Sequence, residues 1–300
     1  MRRKLAALIF LGMFSMVGCG TTQPRQSINS ARKGFNAHRL ILVAAGQYKV
    51  GAPGNAMNPE RTVQLKRLWI ADAETTNEQF SRFVDVTGYK TDAERRGYGM
   101  VALEGMLDWA WNEAAGASWR WPQGTKGASA ASLPNHPVTQ ISGADAEAYC
   151  KWAGGRLPTI DEWEVAARAE ASTRWPWGDK YVPSKANIWN GSDHRHDTRL
   201  DGWLYTSPVR SFPPNAWGLY DVIGNVFEYC SDLPAQFSPG DSKRLIAGRG
   251  GSWWCSANTC NFYNLEDIGT MAREGSLSNQ GFRIVFDEKP STSPNSALGR

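Results

Sequence analysis

The chain has 300 residues, room for one large domain or two small ones, and it carries 14 Trp, 30 Gly and 16 Pro. Glycine and proline interrupt long periodic elements while tryptophan supplies rigid buried area, so a helical bundle or βαβ array is disfavoured and a loop-rich α+β domain is expected. The net charge of +4 includes Arg2, Arg3 and Lys4 in a segment expected to be removed, and no basic run interleaved with aromatics remains, so nucleic acid is not an expected partner.

Those basic residues precede an apolar stretch over residues 5–17, a signal-peptide pattern too short for a stable span. It ends Ser15-Met16-Val17-Gly18-Cys19, which looks like a bacterial lipobox. That likeness implies removal of residues 1–18, lipidation of Cys19 and a place in the bacterial cell envelope, anchored by lipid and facing the periplasm. Gly20 after the cysteine leans towards the outer membrane; an ordinary signal peptide is the alternative. Residues 19–37 read as a flexible tether and 288–300 as a disordered tail, leaving a folded domain over 38–287. In an oxidising compartment its cysteines pair, bind metal or react.

Within the domain, residues 40–43 and 46–51 read as short strands around a turn, and residues 62–65 and 68–70 continue the pattern. Thr76 is placed to cap a helix with Phe80, Phe83 and Val84 on one face, stopped by Gly88. Residues 90–135 show no sustained period, which in a compact domain suggests a functional loop. Ser142 caps a second helix ending at Gly154-Gly155, and Thr159 with Glu162 forms a capping box for a third. Beyond Arg174 mostly turns and short strands are expected. His194-Arg195-His196 reads as a solvated loop rather than a metal site.

Several motifs occur in order: Glu74-Thr75-Thr76-Asn77-Glu78-Gln79-Phe80, Gly116-Ala117-Ser118-Trp119-Arg120, Asn135-His136-Pro137-Val138 and Gly155-Arg156-Leu157-Pro158-Thr159. They continue with Pro176-Trp177-Gly178-Asp179, Ala186-Asn187-Ile188-Trp189, Asn215-Ala216-Trp217-Gly218-Leu219-Tyr220-Asp221, Arg249-Gly250-Gly251-Ser252 and Gly281-Phe282-Arg283. Together, over residues 40–287, they resemble the formylglycine-generating enzyme (sulfatase-modifying factor) family. The resemblance implies an α+β, C-type-lectin-like fold with little regular secondary structure.

It also implies chemistry. Cys255 and Cys260 fall on the family's copper-binding pair, and soft thiolates suit Cu(I). Ser252 falls on the serine of the oxygen or substrate site. The implied reaction is copper- and O2-dependent oxidation of a cysteine or other group in an exported protein or peptide. For calcium, Asn187, the Ile188 carbonyl, Asp201 and the Trp203 carbonyl match one site. Asp221, the Gly224 and Val226 carbonyls and Glu228 match a second; oxygen donors of this kind suit Ca2+. Cys150 matches a position paired in some members, but Ile284 stands where its partner would be, so pairing with Cys230 stays open. The block from Cys255 departs from the family: Ser256, Phe262, Asn264 and Ile268 stand where cationic or polar groups are common, and Thr259 replaces an aromatic before the second cysteine. A monomer is expected. The alternative reading is a catalytically diverged lectin-like lipoprotein, a binding or accessory module for a secretion, motility or siderophore-maturation system that docks an envelope partner. A structural disulfide between Cys255 and Cys260 is the third.

Overall fold

The computed structural model describes residues 38–290 except 108, 109, 257, 259 and 261; Cys19 and the segments before 38 and after 290 lie outside the described residues. Four strands come first: β1 (Leu40–Val43), β2 (Gly46–Val50), β3 (Arg61–Leu65) and β4 (Leu68–Ala71). Their pairing is nested. β2 and β3 form an antiparallel hairpin, while β1 pairs with β4 around it. The expected turn between β1 and β2 therefore joins strands that are not partners. The reason lies downstream: β4 is buried almost throughout and takes β11 (Val285–Phe286) on its other edge, so the chain's two ends close one sheet.

Helix α1 (Asn77–Thr87) starts at Thr76, whose hydroxyl accepts from the Gln79 N–H while Gln79 returns to the Thr76 N–H. Gly88 ends it at φ 66°, a left-handed conformation that favours glycine. The same reciprocal cap opens α3 (Gly143–Ala153) at Ser142 and α4 (Ile160–Arg168) at Thr159. Each such cap contributes about 1 kcal/mol. The stretch expected to lack elements holds several: α2 (Asp92–Arg96), capped by Thr91 and Glu94, and the hairpin β5 (Tyr98–Val101)–β6 (Asn112–Ala115). At five and four residues these are too short to produce a readable period.

The second half carries a four-stranded sheet of β7 (Phe227–Cys230), β8 (Leu245–Arg249), β9 (Gly269–Ala272) and β10 (Gln280–Gly281), in the order β10-β7-β8-β9. The buried hydrophobic residues fall into two main cores. Phe80 and Phe83 of α1 meet Tyr149 and Trp152 of α3 and Phe282 in one. Trp163 of α4, Leu219, Ile223 and Phe227 pack with Cys255, Cys260 and Leu265 in the other. A smaller aromatic cluster of Ala102, Trp189, Trp253 and Trp254 sits beside the cysteine segment.

Candidate functional site

β8 ends at Arg249, and the chain then turns on Gly250 and Gly251 at φ 82° and 72°. A Cβ at position 251 would lie 2.7 Å from the Tyr263 Cα, so only glycine lets the segment before the cysteines approach the one after them this closely. The turn delivers Ser252 to the interior. Its Oγ lies 3.8 Å from the Cys255 Sγ and accepts from the Asn279 side-chain amide at 2.9 Å. The Cys255 N–H donates to the Ser252 carbonyl at 2.9 Å, and the Ser256 N–H to the Cys260 carbonyl at 3.1 Å. These bonds bring the two cysteines together as a disulfide, Cα atoms 4.5 Å apart, both buried. The expected group of Cys255, Cys260 and Ser252 is thus assembled. Asn279 joins it unforeseen: its Oδ1 is buried and has no hydrogen-bond partner among the described residues. Its place two residues before Gly281-Phe282-Arg283 was the available signal.

The wall beside the pair is aromatic. The Trp189 N–H donates to the Cys255 carbonyl at 2.9 Å. His194 is buried, contrary to the solvated loop expected, and stacks on Trp254 with ring centres 3.7 Å apart. Its Nε2 lies 2.7 Å from the Trp254 carbonyl, so that nitrogen donates. The flat, polarisable imidazole stacks face to face as a solvated loop residue would not. His196 stays exposed, 3.5 Å from Glu104, which also holds Arg199 at 3.1 Å. The Asp197 N–H, then Arg199, hold the Glu104 carboxyl below its usual range.

Beneath β7 lies an acidic knot. Glu228 accepts from the Trp163 indole and from two nitrogens of Arg283, both residues fully buried. Burial, reinforced by Glu228, pushes Asp221 up to about 7, although the Arg210 N–H pulls the other way. Burial raises Glu74 well above its ordinary value, with Asp221 and Glu228 adding to the effect. Asp221 Oδ1 and Glu74 Oε1 are buried without a hydrogen-bond partner among the described residues. Asp221, Gly224 and Asn225 all have positive φ, so the backbone winds tightly, and a Cβ on Gly224 would strike the Asn187 carbonyl at 2.2 Å. Unpaired buried carboxylate oxygens are what a hard cation satisfies, so Asp221 and Glu74 suit Ca2+, whereas both Glu228 oxygens are already held by Arg283 and Trp163. Glu74 was not foreseen as part of it.

The other expected calcium set converges but differs. Asp201 accepts from the Ile188 and Trp203 N–H groups at 3.0 and 2.9 Å, and the Asn190 amide bonds both Asp201 and the Ile188 carbonyl. Asn187 donates to the Tyr205 carbonyl and to Asn225. Burial raises Asp201 to about 6. Its oxygens already have protein donors, so a cation fits here through the carboxylate charge alone. Among the described residues no cluster of three or more His, Cys, Asp or Glu side chains makes a metal site by side chains only. Cys150 and Cys230 are free, buried thiols that burial pushes well up, so the pairing left open is not formed. They pack in different cores.

Nested terminal strands, short capped helices and loop-borne sites define the class: an α+β, C-type-lectin-like domain of the formylglycine-generating type. The model for the sulfatase-modifying factor enzyme 1-like domain matches residues 25–288, and the chain belongs to that family. A formylglycine-generating enzyme of Thermomonospora curvata is 36% identical over 300 aligned positions, covering 88% of this chain and 97% of the relative. An inactive C-alpha-formylglycine-generating enzyme 2 of Bos taurus is 34% identical, covering 82% of this chain and 87% of that one. The fold is shared with PvdO of Pseudomonas aeruginosa at TM-score 0.60 and 23% identity, over 82% of this chain and 93% of PvdO.

Proposed function

We propose that the protein is an envelope-anchored oxidase of the formylglycine-generating type, acting on a cysteine or comparable group of an exported substrate. The supporting observation is the convergence of Cys255, Cys260, Ser252 and Asn279 in one buried turn, in a chain alignable with formylglycine-generating enzymes over most of its length. In the reduced protein Cys255 and Cys260 would hold Cu(I), and two adjacent thiolates in an apolar setting are a suitable soft donor set. The bound metal would supply O2 activation. Ser252 Oγ, fixed by Asn279, presents a hydroxyl beside the Cys255 sulfur. The unpaired Asn279 Oδ1 is an acceptor for a proton-bearing group of the substrate or of a water. Trp189 and Trp254 shield the pair from bulk water. Overall, a Cβ–H and the Cβ–S bond of the substrate break, an aldehyde forms and the sulfur leaves as sulfide, while O2 takes two electrons from the substrate carbon and two from a pair of external thiols that become a disulfide, giving water.

Calcium at Asp221 and Glu74, with the carbonyls of Gly224 and Val226, would serve stability, beside Glu228, whose carboxylate is held by Arg283. A weaker site would lie at Asn187, Ile188, Asp201 and Trp203. The lipid anchor at Cys19 would hold the domain at the outer membrane. The formylglycine test is direct. Reduced, Cu(I)-loaded protein is incubated in air with a thiol peptide, and aldehyde is captured with a hydrazide reagent. Aldehyde that disappears in Cys255→Ser supports the reading; none with any thiol peptide removes it. The second reading, a diverged binding module, rests on similarity to a relative named as inactive that is nearly as identical as the active ones.

A further inference from the structure

A cavity of about 410 Å3 lies between the first turns of α1 and the segment 119–134, and it shares no residue with the cysteine turn or with either calcium set. That volume falls within the range of small-molecule sites. Its apolar lining is Trp119, Trp121, Ala130, Ala131 and Pro134, and Trp121 is 37% exposed. Two of the lining side chains are buried yet incompletely satisfied. Asn77 donates through Nδ2 to the Leu133 carbonyl at 2.9 Å, but its Oδ1 has no hydrogen-bond partner among the described residues. The Trp119 Nε1 likewise has none. An acceptor and a donor are thus both left over on the wall of one cavity.

The charges of the lining are already paired. Glu78 holds Arg82 at 2.7 Å, and Arg120 holds Glu94 at 3.2 Å while lying 4.4 Å from the centre of the Trp119 ring. The start of α1 is closed to an anion as well, because the Asn77 and Glu78 N–H groups donate to the His136 and Pro134 carbonyls. Lys126, the other charged residue of segment 119–134, is exposed and does not line the cavity.

We propose that this cavity binds a neutral saccharide through one pyranose unit. A pyranose carries a face of C–H groups and a rim of hydroxyls. The C–H face suits the exposed Trp121 indole, whose π face is electron-rich. A rim hydroxyl both donates and accepts, so it can answer the Asn77 Oδ1 and the Trp119 N–H together. A purely apolar occupant would leave both atoms unsatisfied, and an ion would lose water against groups whose charges are already spent. The site stands apart from the cysteine chemistry and does not depend on it.

Saturation-transfer NMR on the full chain tests this. Maltose and N,N′-diacetylchitobiose are the neutral probes, galacturonic acid and glucosamine the charged ones, and benzyl alcohol the apolar one. Transfer is expected to at least one neutral disaccharide, strongest at its ring C–H protons, with the charged and apolar probes binding about tenfold more weakly or not at all. Trp121→Ala should weaken binding about tenfold, and Trp121→Phe should keep most of it. Ala131→Trp, at an exposed position, fills the cavity and should abolish binding, with circular dichroism confirming the fold of each variant. Cys255→Ser should bind as the parent does. Co-sedimentation with insoluble chitin or starch marks a glycan polymer as the source of the sugar, and binding of the free disaccharides alone marks a soluble one. No transfer to either disaccharide, equal or stronger binding of a charged or apolar probe, or binding unchanged in both Trp121→Ala and Ala131→Trp overturns the proposal.

Discussion

The acidic knot and the aromatic rim are built on opposite principles. The knot is buried, ionic and under-satisfied: Glu228 and Arg283 neutralise each other, while Asp221 and Glu74 hold oxygens with no partner among the described residues. The rim, Met106, Trp111, Leu204 and Tyr205 against Trp253 and Trp254 with exposed Leu107 next to Met106 in the chain, is apolar and partly open to solvent. Change in the knot leaves an uncompensated charge in low dielectric, whereas change in the rim alters only what the surface contacts. The difference teaches where a family can vary. The scaffold beneath Ser252 and the cysteines is energetically locked, and the apolar surface beside them is free to differ.

The sharpest way to break that contrast is to cut each region once. Glu228→Ala, stranding Arg283, is expected to cost about 3–5 kcal/mol in urea unfolding, while Leu107→Ser stays within about 0.5 kcal/mol. Similar costs for both would dissolve the distinction. Next comes cation removal. Chelation should lower the melting temperature, and saturating Ca2+ at 100 times its Kd should restore about 2.7 kcal/mol. Asp221→Asn should abolish most of that response, and Asp201→Asn less, because Asp201 already has protein donors. Equal loss in both variants would contradict the ranking of the two sites.

A smaller effect concerns acid. Burial, and then Arg210, lower His38 to about 3. A base with a depressed native pKa contributes stability that is present above about 6.5 and is lost as pH falls towards 3, because only the unfolded chain takes the proton. Unfolding free energy measured between pH 7 and 5 should therefore fall, and His38→Gln should flatten that part of the slope. The smallest change is at a helix start: Thr159→Ala removes the α4 cap and should cost about 1 kcal/mol.

Much of this was legible in sequence where the chemistry is local. Thr76, Ser142 and Thr159 announce helix starts because a cap needs only a hydroxyl and a partner three residues on. Cys255, Cys260 and Ser252 were legible through an ordered set of family motifs. What stayed hidden depends on contacts across the chain. Asn279 reaches Ser252 over 27 residues, and His194 reaches Trp254 over 60. Glu74 lies next to carboxylates about 150 positions away, its amide partner Asn225 being 151 residues distant. The nesting of β2–β3 inside β1–β4 was hidden for the same reason, since β4 is claimed by β11 from the far end.

The central claim is that the cysteine pair of the reduced protein is a Cu(I) site. Titrating the reduced full chain with Cu(I) against a competing chromophoric chelator tests it most directly. The account predicts one equivalent of tightly held Cu(I), lost in Cys255→Ser and in Cys260→Ser and unaffected by Cys230→Ser. No tight binding, or binding unchanged in Cys255→Ser, would contradict it.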